Sequence, residues 1–128
     1  MYEKWLEKAR RYMDLARKMY SEGYYSEACF FSQQAIEFLL KAYIIKYTGS
    51  RPYTHNIIML LTMYIDLVGK ESLLTSNVKE CAKYLAEQYA QSRYPDARLT
   101  EYDVDDAEKC IRCMEEVSMI VGEAEKST

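Results

Sequence analysis

Ala28, Phe31, Ala35, Phe38, Ala42 and Ile45 recur at alternating spacings of three and four, a seam that only an α-helix can present on one side. The same stretch carries a second apolar strip of Cys29, Ile36, Leu40, Tyr43 and Tyr47. A helix that is apolar on two sides must be wedged between neighbours, so this segment is expected to be the central element of the fold. It is expected to begin between Tyr24 and Ser26 and to end near Tyr47, with Gly49 supplying the left-handed stop that a Cβ-bearing residue resists.

Four further segments have helical period. Helix 1, about Tyr2 to Ser21, sets Trp5, Ala9, Tyr12, Met13, Ala16, Met19 and Tyr20 against a charged opposite side and is closed by Gly23. Helix 3, about Thr54 to Val68 with Thr54 as N-cap, is apolar almost all round. A four-helix core covers only one side of each helix, so the surplus is expected to be buried in a homodimer. Helix 4 is expected to start at Asn77, which would cap with Glu80 returning the bond, and to face inward through Val78, Cys81, Leu85 and Tyr89. Helix 5 is capped by Asp103, with Asp105 and Asp106 against the positive end of its dipole, and its expected seam is Val104, Ala107, Ile111, Met114, Ser118 and Val121. No alternating strand pattern and no internal repeat occurs. The expectation is one all-α domain over residues 1–128, an up-and-down antiparallel bundle of four to five helices.

Composition removes several alternatives. The 128 residues are 49% hydrophobic with a formal charge of −3, which excludes disorder and argues against a domain that coats duplex DNA. The longest apolar stretch, from Ile57 to Val68, is far short of the roughly 20 residues that a bilayer needs. The charged N-terminus has no signal-peptide pattern, so a cytoplasmic protein is expected. Four cysteines are too few and too scattered for a disulfide framework, and free thiols are expected. Cys110 and Cys113 form a C-x-x-C in mid-helix, where they read as small buried hydrophobes rather than as metal or redox ligands. No cofactor is implied.

Three places carry possible chemistry. Gln34, Glu37 and Lys41 line a narrow polar strip on helix 2. They form either a solvated groove or a notch that receives a ligand or the loop ahead of helix 5, and a buried Glu37 would need Lys41 or Arg93 as partner. Arg93-Tyr94-Pro95-Asp96 combines a guanidinium fork, a stacking ring and a fixed backbone, with Arg98 as a second cation. Asp96 and Arg93 have the blander reading of closing the turn and answering Glu37. His55 is the sole histidine and stands at the start of helix 3, where a structural role is the simpler reading.

Taken together, Ala28-Cys-Phe-Phe-Ser-Gln-Gln-Ala-Ile-Glu-Phe-Leu-Leu-Lys-Ala42, Thr54-His55 and Arg93-Tyr94-Pro95-Asp96 resemble the HEPN domains (higher eukaryotes and prokaryotes nucleotide-binding), over essentially the whole chain. The resemblance implies a five-helix bundle, often dimeric, commonly encoded beside a minimal nucleotidyltransferase in toxin–antitoxin-like modules. It also implies nucleotide or nucleic-acid binding, with Gln34, Glu37, Lys41, His55, Arg93, Tyr94 and Asp96 as the candidate ligand-binding residues. Ribonuclease members use Arg, four to six residues, then His. Here Arg93 matches the Arg position but no His follows it, and Arg51 and His55 are separated by only three residues. The resemblance therefore points to a non-catalytic binding subunit. The alternatives are a metal-independent endoribonuclease toxin that uses His55, and a pure assembly module.

Overall fold

The computed structural model describes residues 1–127 and contains five α-helices: α1 (Tyr2–Ser21), α2 (Tyr25–Thr48), α3 (Ile57–Val68), α4 (Ser76–Gln91) and α5 (Val104–Lys126). A single 3₁₀ turn, Glu71–Leu73, lies between α3 and α4, and no strand occurs among the described residues. The helix α2 packs against all four others, as its two-sided apolar pattern demands. Ile36, Leu40, Leu60, Ile65, Leu85 and Met114 are shut off from solvent at its flanks, and full burial of each such side chain contributes about 1.5–3 kcal/mol.

The ends of the helices follow local chemistry. Gly49 closes α2 at φ 79°, its N–H returning to the carbonyl of Ile45, and Asp103 with Asp106 completes a reciprocal capping box on α5. Two starts differ from expectation. Asn56, not Thr54, caps α3, its side chain accepting from the N–H groups of Ile58 and Met59. Thr54 instead accepts from the N–H of Asn56, turning the chain into the helix two residues later. Thr75, not Asn77, caps α4, accepting from Val78 N–H, so the expected Asn77–Glu80 pair does not form the cap.

The inward face of α5 is also rotated from the expected seam. Ala107, Cys110, Met114, Val117, Val121 and Ala124 are buried, whereas Val104 is exposed and Ile111 and Ser118 are half-buried. That face carries two covalent cross-links. Cys29 of α2 is bonded to Cys110, and Cys81 of α4 to Cys113, with Cα–Cα distances of 5.2 and 4.9 Å. The expected free thiols are absent, and the C-x-x-C tethers α5 to two different helices rather than closing on itself. Bridges across sequence separations of 81 and 32 residues contribute about 4 kcal/mol each on the chain-entropy account. They brace a fold whose hydrophobic core is already complete. On α3, Ile58, Met59, Met63 and Leu67 remain 40–54% exposed. No helix among the described residues is long and apolar enough to cross a membrane.

Candidate functional site: a buried carboxylate behind a stacked histidine

The carboxylate of Glu37 is buried in the middle of α2 and accepts three hydrogen bonds. Gln33 Nε2 donates to Oε1 at 3.0 Å, and Lys41 Nζ donates to Oε2 at 2.9 Å. The third is at 2.8 Å from His55 Nδ1 to the same Oε2. Burial raises the pKa of this acid, but the donors outweigh it, led by His55 and followed by Lys41 and Gln33, and hold it below the ordinary carboxylate range. Because an ionised carboxylate can only accept, Nδ1 carries the hydrogen. Nε2 is thus the atom that the imidazole offers outward, and half of the His55 side chain is exposed.

The ring of His55 lies 4.6 Å from that of Tyr89, 10° from parallel. The Arg93 guanidinium carbon sits 4.5 Å from the centroid of the same tyrosine and 5.0 Å from that of Phe30. Its Nε donates to the Tyr89 carbonyl at 3.3 Å, one turn back along the chain. No carboxylate pairs with Arg93 among the described residues, so its remaining donors are unspent. A guanidinium flattened on aromatic rings has little rotamer freedom left to lose when it meets an anion.

Arg93 also lines a polar cavity of about 420 Å³, together with Ser26, Tyr94, Arg98 and Tyr102. Arg98 lies 3.8 Å from the Tyr102 ring centroid and donates to Asp106 at 3.1 Å. Tyr102 in turn donates to the side-chain oxygen of the buried Gln88. Tyr94 is 52% exposed at the rim, which leaves a ring face for stacking. A second cavity of about 460 Å³, between the end of α2 and α3, is lined mainly by apolar atoms and lies away from these cations.

The sequence-derived candidates are thus partly brought together. Glu37, Lys41 and His55 form one bonded cluster. Arg93 joins it through Tyr89 rather than through Glu37, which is already answered by Lys41 and His55. Gln34 does not reach Glu37; it donates to Gln33, and Gln33 makes the contact. Asp96 is exposed and forms no ion pair among the described residues. Two members escaped sequence reasoning, Gln33 and Tyr89, although both stand at i−4 from a residue that was singled out (Glu37 and Arg93).

Comparison with known proteins identifies the family. The model of the HEPN domain family matches residues 2–124, and the chain belongs to that family. It is similar over 96% of its length to the crystal structure of TT1696 from Thermus thermophilus, with 29% identity, a TM-score of 0.74 and 97% of that chain covered. It is also similar to ST0689, described as an archaeal HEPN homologue, with 31% identity, a TM-score of 0.68, and coverage of 97% of this chain and 98% of the other. No curated protein matches.

Proposed function

We propose that the chain is a non-catalytic HEPN subunit that binds a nucleotide or a nucleic-acid strand. On this reading it acts in the cytoplasm as a homodimer, beside a minimal nucleotidyltransferase in a toxin–antitoxin-like module. The observation that carries the binding role is Arg93: a guanidinium held on Tyr89 and Phe30, with no carboxylate partner, at the wall of a polar cavity that also holds Arg98 and Tyr94. Phosphate suits the fork, and the exposed Tyr94 ring suits a base. The experiment is thermal denaturation with ATP, other nucleotides and short single-stranded RNA. A ligand at 100 times its dissociation constant stabilises by about 2.7 kcal/mol. Melting curves that do not move with any of them would count against direct binding.

One observation favours a second reading, a metal-independent ribonuclease. Glu37 fixes Nδ1 of His55 and leaves Nε2 outward, the arrangement in which a histidine takes a proton from a ribose 2′-hydroxyl. This reading predicts RNA cleavage that survives a chelator and disappears in His55→Ala. Intact RNA after prolonged incubation with the wild-type chain rules it out.

A further inference from the structure

The cavity at Arg93 has two walls that come from distant parts of the chain. Ser26 and Glu27 belong to the first turn of α2, and Arg98 and Tyr102 to the loop before α5. The second wall is fastened to the start of α5: Arg98 donates to the Asp106 carboxylate at 3.1 Å, and that carboxylate also accepts from the N–H of Asp103 at 3.0 Å to complete the helix cap. Tyr84 donates to the Asp106 carbonyl at 3.2 Å. Cys110 follows Asp106 by one helical turn, and Cys29 follows Ser26 by three residues. Their disulfide therefore links the two segments that carry the walls, and the Cys29 sulfur lies 3.6 Å from the Asp106 carbonyl oxygen. None of the four cysteines lines the cavity itself; the second bridge, Cys81–Cys113, ties α4 to α5 and does not join the two segments that form the walls.

We propose that the Cys29–Cys110 disulfide sets the spacing of the two cavity walls, so that thiol–disulfide exchange at this bridge regulates ligand binding by Arg93 and Arg98. The regulatory part rests on the binding role proposed above; the clamp itself does not. The reductant is a dithiol. One of its thiolates attacks a sulfur of the bridge, giving a mixed disulfide and a protein thiolate that takes up a proton. Its second thiolate then displaces the other protein sulfur, which is protonated in turn, leaving two protein thiols and an oxidised dithiol.

Both cysteines have no exposed surface. Attack thus requires the first turns of α5 to lift from α2, the same movement that parts the walls. A ligand that bridges the walls opposes that movement. Linkage then makes the effects reciprocal: the bridge tightens the ligand, and the ligand protects the bridge.

The test uses the full chain, oxidised, reduced with dithiothreitol, and as the paired variants Cys29→Ala/Cys110→Ala and Cys81→Ala/Cys113→Ala. Alkylation and mass spectrometry establish which bridge is open in each sample. Amide hydrogen exchange across residues 98–106 reads the wall, and titration with ATP and short single-stranded RNA reads the site. Opening Cys29–Cys110 is expected to speed exchange in 98–106 and to weaken binding by at least about five-fold, while the Cys81/Cys113 pair changes neither. Should the Cys29/Cys110 pair not fold, the Cys81→Ala/Cys113→Ala variant with and without dithiothreitol opens the same bridge alone. Unchanged exchange in 98–106 with Cys29–Cys110 open overturns the clamp. Faster exchange with unchanged affinity overturns the regulation. If neither ligand binds in any state, the nucleotide reading and the regulation fall together, and the exchange result still decides the clamp.

Discussion

His55 Nδ1 and Lys41 Nζ converge on the same Oε2 atom of Glu37, at 2.8 and 2.9 Å. The carboxylate is buried and Lys41 is buried beside it, so neither charge can be removed without stranding the other. Glu37→Gln is expected to cost about 3–5 kcal/mol, the range for breaking a buried ion pair from one side, measured by urea denaturation. The same variant should release His55, whose nitrogen-15 shifts would report loss of the fixed Nδ1–H tautomer. A loss of stability under about 1 kcal/mol would mean that Lys41 finds water or another partner.

The pH response follows from the direction of the Glu37 shift. Its folded pKa lies below the ordinary glutamate value of 4.5, so the unfolded chain takes up the proton first as pH falls. The stability that Glu37 contributes is complete above about pH 4.5 and drains away on acidification through the folded pKa. Stability profiles of wild type and Glu37→Gln should therefore converge on the acid side and stand apart at neutral pH. Parallel profiles would refute the assignment.

Arg93 should separate charge from geometry. Arg93→Ala is expected to abolish the thermal shift produced by nucleotide or RNA. Arg93→Lys, which keeps the charge but loses the planar fork and the stack on Tyr89 and Phe30, should recover only a minor part of it. Full recovery by lysine would show that a point charge is enough. Tyr89→Ala removes the surface shared by His55 and Arg93 and should weaken binding although Tyr89 touches no ligand in this scheme.

How much of this was readable in advance depends on the kind of signal. The helices, their order and the central place of α2 follow from apolar spacing, because burial of one face leaves a periodic record. Glu37 with Lys41 follows from the i, i+4 rule, and His55 from being the sole histidine. Spacing does not separate Gln33 from Gln34, because ridges spaced by three and by four are both allowed on a helix, and only packing chooses between them. The stacking of Arg93 on Tyr89 is one turn of local geometry, but its junction with His55 spans two helices and leaves no spacing signal. The disulfides leave no spacing signal for the same reason. Cys110 and Cys113 are neighbours in sequence, yet they meet α2 and α4 respectively. The caps of α3 and α4 lie two residues from the expected ones, where several hydroxyl and amide side chains compete, as in Thr54 against Asn56, whereas Asp103 caps α5 as expected.

Gly49 gives a test of the turn that separates α2 from the segment bearing His55. At φ 79° an added Cβ would meet no atom within 4 Å, so the cost of Gly49→Ala is conformational alone, about 1 kcal/mol. Chemical denaturation should show this loss with an unchanged dependence on denaturant, since no surface is newly exposed. A loss several times greater would mean that the turn must move and carry the His55 segment with it.

Self-association should run through the outer face of α3. Met59, Met63 and Leu67 follow one another at i, i+4 and i+8, and with Ile58 they stay 40–54% exposed although the helix core is complete. A stripe of this kind in water is a cost that a second copy removes, and a two-fold axis at Met63 would set Met59 of one protomer near Leu67 of the other in antiparallel register. Met63→Glu places a charge at that centre without touching the buried face of the helix. Sedimentation velocity should show a concentration-dependent dimer for wild type and a monomer for the variant, with little change in the far-ultraviolet dichroism of either. A wild-type chain that remains monomeric at high concentration would leave the stripe free for an unlike partner, and co-purification of a second polypeptide that Met63→Glu abolishes would then identify the surface that holds it.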